Sequence, residues 1–422
     1  LLQYPGFVNH CTSKLNPQSY IYMEIFIFLI MLWISVSLAL FLLYGGQEIT
    51  AVWREPVLRC PVLIIESDDW GAGPAGQADT LKEITRRLEV ISDCDGHPPV
   101  MTLGMILASA DGEKIKATGD YHRRRLSMSG NKALLEAITS GVDSGVFAVQ
   151  LHGLEHYWPP SLIAASYQDE VVSNWLDRAP EASTEDLPSP LQSRWVDASV
   201  LPARALSVAE ARQAVQEEVS TFQAIFGHRP RVAVPPTFVW NDTVEQAWAE
   251  AGVEVIVTPG RRYETRNTTG QLAGTGTSIY NGQSGSGGTV YLVRNDYFEP
   301  ALGHTAEQAL AALETKTRLG RPTLLEMHRF NFLGSDAERK NALAELERLL
   351  QRALDRYPDM VFMSAEKLAR VLSARDPGWV EPRLARRIHV WLTRLGESSR
   401  LRKLAWLSGW IVPGWVVWKL TG

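Results

Sequence analysis

Hydrophobic and polar residues alternate through the middle of the chain in a pattern that predicts strands and helices in turn. Short apolar runs predict buried strands at residues 61–65, 100–107, 146–151, 231–234, 253–257, 289–293, 322–327 and 360–363. Amphipathic segments lie between these runs, and two of them open with capping boxes, at residues 207–210 and 335–338. Such strand–helix repetition predicts a parallel sheet, open or closed into a barrel, with the functional site at the carboxyl ends of the strands.

The amino-terminal part of the chain departs from this pattern. The twenty residues from Ile25 to Tyr44 carry no charge, and this is the length of a helix that spans a bilayer. A cleaved signal peptide is the alternative. Signal peptides have a shorter apolar region and a basic start, whereas Lys14 is the only Lys or Arg residue before this run. We therefore expect a retained, single-pass membrane anchor at residues 23–46. The sequence does not begin with Met, and residues 1–22 are expected to lie upstream of the true start.

The carboxyl-terminal part, residues 376–422, is basic and rich in tryptophan. From Arg383 to Gly422 there are eight Lys and Arg residues against one acid, so this segment carries +7. Basic residues interleaved with indole rings suit the headgroup region of a membrane, which makes this a candidate interfacial tail. The alternative is a solvated helix whose tryptophans pack on the main domain. Residues 404–418 are too short to predict a second span.

Residues 57–375 contain no linker and are expected to form one α/β domain. The chain of 422 residues is 45% hydrophobic with a net charge of −5, a composition that gives no reason to expect nucleic acid as a partner. Its three cysteines form neither a disulfide framework nor a metal motif. Two stretches, 157–206 and 260–288, interrupt the alternation. The second is rich in glycine and is interpreted as a surface loop or a lid over the site.

Chemistry-bearing residues follow several of the predicted strands. The run "PVLIIESDDWG" ends in Asp68 and Asp69, and two adjacent carboxylates at a buried strand end are costly unless a cation neutralises one of them. His152 and His156 follow another apolar strand at a spacing of four. One carboxylate (Asp69) and two imidazoles form a ligand set for a catalytic, Zn²⁺-like divalent metal. His328 ends a further strand, where it could act as an acid near the metal.

A second metal hypothesis rests on residues 152–156 alone. They also fit H-x-x-E-H, the inverted zinc-protease signature, in which Glu155 would be the base. That motif lies within a long helix. Here Gly153 follows a strand directly and Pro159 closes the segment, so this metalloprotease interpretation is the weaker alternative.

These motifs together resemble the polysaccharide deacetylases of the NodB-like type, carbohydrate esterase family 4. The family's T-F-D-D-G motif is matched by E-S-D-D-W-G at residues 66–71, with a tryptophan inserted. The resemblance implies a distorted (β/α)7 barrel, Asp68 as catalytic base and Asp69 as metal ligand. It also implies that His152 and His156 complete the metal site and that His328, in the family's strand-end Leu-x-His motif with one extra residue, is the general acid.

The third motif of the family is altered. Where the family has Arg-Pro-Pro-Tyr, this chain has V-P-P-T at residues 234–237. Thr237 still offers the backbone N–H that would bind the oxyanion, but the arginine that holds the base is missing. Arg294, at another strand end, is our candidate to replace it. Aromatic residues near the strand ends are candidates for stacking on a sugar, and they are Trp70, Trp240, Tyr297 and Phe330.

The resemblance implies a metal-dependent hydrolase, anchored in a membrane, that removes N-acetyl groups from an amino-sugar polysaccharide or glycoconjugate. The altered third motif leaves open a related amidase with a non-sugar substrate. A membrane-tethered glycan-binding protein without activity is the third hypothesis. The sequence decides neither the side of the membrane on which the domain lies nor the oligomeric state.

Overall fold

The computed structural model describes the backbone from residue 17 to 422 and the side chains from residue 21. The expected upstream segment, residues 1–22, lies mostly outside this range. The described chain divides into two compact units. The larger comprises residues 54–390, and the smaller combines the amino-terminal helix with residues 391–422.

The larger unit is built around a parallel sheet whose strands lie close to the predicted positions. They are β1 (Val62–Gly71), β2 (Met101–Ile106), β3 (Phe147–Leu151), β4 (Val232–Ala233), β5 (Val255–Thr258), β6 (Val290–Val293), β7 (Asp296–Tyr297), β8 (Thr323–His328) and β9 (Val361–Phe362). All eight predicted strands are present. Only β7 has no counterpart in the prediction, because Asp296 and Tyr297 do not belong to an apolar run.

The order of these strands closes the sheet into a barrel. They run β6-β5-β4-β3-β2-β1-β8-β7, and β9 pairs with the start of β1. The two end strands, β6 and β7, are separated in sequence only by Arg294 and Asn295. The Arg294 N–H donates to Thr258 on β5, and the Asn295 N–H donates to Leu324 on β8. One short segment, Arg294 and Asn295, thus joins both edges of the sheet, and the expected parallel (β/α) barrel is confirmed.

Helices surround the barrel in the expected alternation. In the larger unit they are Gln77–Leu88, Gly112–Thr118, Lys132–Asp143, Pro159–Ser166, Glu170–Arg178, Val208–Phe226, Asp242–Ala251, Ala306–Arg318, Phe330–Leu333, Asp336–Arg356 and Ala365–Ala374. The capping boxes at Ser207 and Ser335 both form. Three short hairpins pair Ala108–Ala110 with Arg123–Arg125, Val196–Asp197 with Arg204–Ala205, and Thr265–Arg266 with Leu272–Ala273.

The barrel interior is apolar at one end and polar at the other. Val62 and Ile64 of β1 cluster with Val257 of β5 and with the helix Ala365–Ala374, which covers this end. Because side chains alternate along a strand, Glu66 and Asp68 share the inward face of Ile64 but lie further along. The polar layer therefore occupies the carboxyl ends of the strands, where the site was expected.

The smaller unit contains the predicted anchor. Helix α1 (Pro17–Arg54) is long and apolar enough to cross a membrane, by its length and composition. Three further helices follow near the carboxyl terminus: α2 (Leu384–Glu397), which begins in the larger unit, α3 (Ser399–Ser408) and α4 (Ile411–Thr421). The interfacial role predicted for residues 376–422 stays a prediction.

Candidate metal centre and catalytic site

A β-bulge places both aspartates at the mouth of the barrel. Ser67 pairs with Leu103 of β2 and Trp70 with Met105, so Asp68 and Asp69 together oppose the single residue Gly104. Asp69 has φ of 70°, a left-handed conformation that is uncommon outside glycine. An uninterrupted strand would send adjacent side chains to opposite faces. The bulge instead allows both carboxylates to face the site.

The bulge depends on two neighbours that the sequence pattern does not explain. A Cβ at Gly104 would lie 2.2 Å from Asp68 Oδ1, so only glycine leaves room for this carboxylate. Trp70 is completely buried, and its Nε1 donates to Ser67 Oγ across the bulge at 2.8 Å. The inserted tryptophan of the first motif therefore holds the bulged strand.

Asp69, His152 and His156 form a buried cluster whose ligand atoms lie within 4.8 Å of one another. Asp69 Oδ1 is 3.4 Å from His152 Nε2 and 3.5 Å from His156 Nε2. These separations are too long for good hydrogen bonds, and Asp69 Oδ1 has no hydrogen-bond partner within the described structure. A buried carboxylate oxygen facing two imidazole nitrogens fits a divalent cation between them. The predicted ligand set is thus brought together.

The two histidines are prepared for this role in different ways. His152 Nδ1 lies 2.9 Å from the carbonyl of Val234. Because a carbonyl only accepts, Nδ1 carries a proton and Nε2 points towards Asp69, the usual second contact of a metal-bound histidine. Burial, with the nearby His152, lowers the pKa of His156 to about 4 despite the opposing effect of Asp69. His156 is therefore neutral at pH 7.

Arg294 holds Asp68 as the sequence analysis expected. Both terminal nitrogens of its guanidinium donate to the two Asp68 oxygens, one of them at 2.9 Å, and Nε donates to Glu66 at 2.6 Å. All three side chains are buried. Burial opposes ionisation of Asp68, but the arginine outweighs it and lowers the pKa of Asp68. The carboxylate is therefore charged and fixed in orientation.

His328 lies on β8, the strand paired with the other side of β1. Its backbone is directly opposite Asp68 in the register of the two strands. Nδ1 forms a 2.6 Å contact with Glu299 Oε1. Burial disfavours the cation, but the bond to Glu299 and the charges of Asp69 and Asp68 outweigh it and raise the pKa of His328 to about 10. The imidazolium is therefore the form present at neutral pH, which suits a general acid.

The structure adds site residues that sequence reasoning missed. Glu299 follows β7 and holds His328, while Arg329 donates to the backbone carbonyl of Asp69.

Two further carboxylates near the site have raised pKa values. Glu326 lies 4.0 Å from both Arg294 Nη1 and His328 Nε2, and burial raises its pKa to about 7. Glu185, from the insertion at residues 157–206, is close enough for its pKa to be raised by partial burial and by the charge of Asp69.

The metalloprotease alternative is wrong. Residues 152–158 contain no helix, and the next helix begins only at Pro159. Glu155 is completely buried and ion-paired with Arg123 at 2.7 Å and Arg194 at 2.6 Å. A carboxylate held between two arginines positions the loop that carries the histidines and is not available as a base.

The remaining predicted residues differ in how far they are exposed to solvent. Trp70 and Trp240 have no exposed surface, so neither can stack on a sugar and the expectation for both is wrong. Tyr297 is 59% exposed, and Phe330 stacks on the His328 ring at 5.7 Å. Thr237 has φ of 53°, and its hydroxyl bonds to Ser193. Its predicted role in binding the oxyanion stays a prediction.

The family model that matches the chain is Glycosyl hydrolase family 57, over residues 190–328. No curated protein matches the sequence. Several of the similar solved structures are deacetylases or carbohydrate esterases, whereas the matched model belongs to a different carbohydrate-active family.

Three of these structures illustrate the range of similarity. A 4-alpha-glucanotransferase from Thermococcus litoralis is 9% identical, and the match covers 74% of this chain and 40% of that chain with a TM-score of 0.38. A polysaccharide deacetylase from Mycobacterium smegmatis, described as putative, is 13% identical, with 75% of this chain and 91% of that chain covered and a TM-score of 0.37. A family 4 carbohydrate esterase from Streptomyces lividans in complex with acetate is 12% identical, with 72% of this chain and 91% of that chain covered and a TM-score of 0.32. At such low similarity, a function for this chain has to be argued from its own side chains.

Proposed function

We propose that this protein is a metal-dependent hydrolase that removes N-acetyl groups from an amino-sugar polysaccharide or glycoconjugate. The observation that carries the proposal is the Asp68–Arg294 pair, buried beside the Asp69, His152 and His156 cluster and with the His328 backbone opposite Asp68. An ionised carboxylate, a metal-type ligand set and a protonated imidazole can supply the base, the metal site and the general acid of a metal-assisted amide hydrolysis. The similarity of the first two motifs to carbohydrate esterase family 4 supports the choice of an acetylated sugar.

Each side chain then has one task. Asp68, kept ionised by Arg294, accepts the proton of the attacking water. His328, kept protonated by Glu299, donates a proton to the departing amine, which would otherwise be a poor leaving group. The Thr237 N–H is proposed as a donor to the oxyanion. A divalent cation such as zinc, held by Asp69 and the two histidines, would supply Lewis-acid chemistry by acidifying water and polarising the acyl carbonyl.

The deciding experiment measures bound metal and released acetate on the same preparations of the full chain. We expect the wild type to bind about one divalent metal per chain and to release acetate from N-acetylated glycans. Asp69→Ala should lose the metal. Asp68→Asn should keep the metal and lose roughly 100-fold or more in turnover, because the base is gone. Asp79→Ala is the control, since this aspartate is exposed and pairs with Lys82.

Two outcomes would contradict the proposal in different ways. A wild type that binds no metal would show that the cluster is not a metal site. Metal binding without acetate release from any glycan would exclude N-deacetylation and would favour a non-sugar amide or a glycan-binding role.

The family-model match favours a second candidate, the cleavage of a glycosidic bond. The matched range, residues 190–328, includes Arg294, Glu326 and His328. Glu326, whose pKa is raised to about 7 by burial, has the character of a glycosidase acid, and Asp68 would be the second carboxylate. Release of reducing ends from an α-glucan by the wild type, lost in Glu326→Gln, would support this candidate over deacetylation.

A further inference from the structure

The helices α3 and α4 form a hairpin that lies along α1 within the smaller unit. At its base, Leu401 packs so closely on Gly45 that a Cβ there would be 2.4 Å from Leu401 Cδ2. Arg400 pairs with Glu48 at 3.3 Å. The helix α3 therefore starts beside the end of the apolar run of α1 and runs back along it.

The tip of the hairpin lies beside the middle of that run. The rings of Trp33 and Trp410 stack with centroids 5.2 Å apart and planes 10° apart. Trp33 and Ser37 lie on either side of the midpoint of the uncharged run 25–44. The turn at Ser408–Trp410 is therefore at the level of the membrane centre if α1 spans the bilayer.

The polar side chains at the tip are paired within the protein. Trp33 Nε1 donates to the Ser408 carbonyl at 2.7 Å, and Trp410 Nε1 donates to Ser37 Oγ at 2.8 Å. The Gly409 N–H donates to the Trp406 carbonyl. Groups at the surface of a soluble protein can bond to water instead, whereas groups in hydrocarbon must find protein partners. The hydrogen bonding at the tip is therefore of the kind that hydrocarbon requires.

The second arm of the hairpin returns to the base. Trp418 Nε1 donates to Thr393 Oγ1 at 2.9 Å. Residues 404–418, fifteen in all, carry no charge. Exposed basic residues lie at the base of the hairpin, and these are Arg400, Arg402, Lys403 and Lys419. Large apolar side chains are exposed along both arms, such as Trp406 on α3 by 71% and Val412 on α4 by 63%.

The lengths of the arms agree with half of a bilayer. α3 has 10 residues and α4 has 11. At about 1.5 Å per residue, each arm is about 15 Å long. The hydrocarbon core of a bilayer is about 30 Å thick, so an arm reaches its centre and no further.

We propose that α3 and α4 form a re-entrant hairpin in the leaflet adjoining the Arg54 end of α1. The uncharged arms enter the hydrocarbon beside α1, and the basic residues at the base bind anionic lipid headgroups. The protein would thus be held by one spanning helix and by a half-depth hairpin that enters and leaves on the same side.

Spin-label depth measurements on the full chain in vesicles of phosphatidylcholine and phosphatidylglycerol test this. Cys11, Cys60 and Cys94 are replaced by serine, and a single cysteine is introduced at Val412, near the tip and 63% exposed. Val36→Cys on α1 is the reference for the bilayer centre. Leu302→Cys, 70% exposed on the larger unit, is the reference for water.

We expect the label at Val412 to match Val36, with high accessibility to oxygen and low accessibility to a water-soluble nickel complex, and to be opposite to Leu302. A water-exposed Val412 with a lipid-exposed Val36 would overturn the hairpin and leave the span standing. Water exposure at both positions would overturn both. Protection of Val412 from both reagents would show that a protein surface, such as a second copy of the chain, covers the arms and would also overturn the proposal.

Discussion

Gly104 occupies the one position on β2 where the bulged strand leaves no room for a side chain. Replacing it with alanine adds a methyl group 2.2 Å from Asp68 Oδ1, so the carboxylate has to move away from Arg294. We expect Gly104→Ala to lower turnover by roughly 100-fold, because misplacement of a catalytic group by about 1 Å has effects of this order. Gly130→Ala is the matched control, since its Cβ would meet nothing within 4 Å.

Metal content measured on the same samples separates two explanations of that result. Retained metal with lost turnover is expected, because Asp69 is not the carboxylate that the methyl group displaces. Turnover unchanged in Gly104→Ala would show that the position of Asp68 does not matter for catalysis.

Glu299 sets the protonation of His328, and this predicts a pH effect. A general acid works in its protonated form, so activity is present below its pKa and is lost as the pH rises through it. With the pKa of His328 at about 10, the wild type should show no loss from this group near neutrality. In Glu299→Gln the bond to Nδ1 can remain but the negative charge is gone, so the alkaline limb should move down by roughly one to three pH units.

The pH–rate profiles of wild type and Glu299→Gln check this, with Glu314→Gln as the control on an exposed helix surface. An alkaline limb at the same pH in both enzymes would argue against His328 as the acid.

At the residue scale, the sequence could predict groups that directly follow a strand and could not predict groups that act on them. Asp69, His152 and His156 each end or follow an apolar run, and parallel strands bring their ends together. Arg294 was found in the same way. Glu299 and Arg329 were missed because their roles depend on contacts that only the folded structure shows. Glu299 binds the His328 ring, and Arg329 donates to the Asp69 carbonyl. The prediction for Trp240 was wrong because the sequence around a strand-end aromatic residue looks the same whether the ring packs in the core or lines a cleft.

The loop after β3 is the element on which both metal-ligand histidines depend. Glu155 at its centre is completely buried between Arg123 and Arg194. Glu155→Gln removes the charge that pairs with the buried Arg194 and with the partly buried Arg123, and we expect the free energy of unfolding to fall by about 3 kcal/mol. Denaturant titration measures this loss.

Activity per folded molecule then distinguishes support from catalysis. If Glu155 only positions the loop, folded Glu155→Gln should retain measurable turnover with weaker metal binding. Complete loss of turnover in a variant with wild-type stability and metal content would restore the glutamate to a role as base. Glu217→Gln, which removes a partly exposed partner of Arg123, is the control.

At the element scale, the strands and capped helices follow from local signals, whereas the bulge in β1 does not. The bulge arises because β1 has two residues, Asp68 and Asp69, where β2 has only Gly104, and this can be seen only when the two strands are paired. The segment 157–206 was predicted only as an interruption of the alternation. In the structure its two helices and its hairpin form a small hydrophobic core, which includes Tyr157, Trp175 and Leu191. The sequence of this segment has no periodic pattern from which that core could be predicted.

For the whole molecule, a bound metal should stabilise the fold because it binds only when residues from two strands are brought together. Ligand binding to the native state adds about 2.7 kcal/mol at a free concentration 100 times Kd. We expect added Zn²⁺ to raise the thermal midpoint of the wild type and a chelator to lower it again. Asp69→Ala should not respond. His97→Ala, which changes a histidine outside the cluster, should respond as the wild type does.

A midpoint that rises equally in Asp69→Ala would show that the stabilising metal binds elsewhere.

Arg294 lies at the point where the two edges of the barrel meet, and this ties the charge on Asp68 to the last long-range pairing of the sheet. A slip of one residue in that seam would turn Arg294 outwards and bring Asn295 in, because neighbouring residues face opposite sides. Asp69 and the two histidines belong to β1 and to the loop after β3, away from the seam, and would be undisturbed. A misclosed molecule would therefore still take up metal while lacking a working base. In preparations of the proposed enzyme, metal content would count the chains that have assembled their first strands, and only turnover would count the barrels that have closed in register.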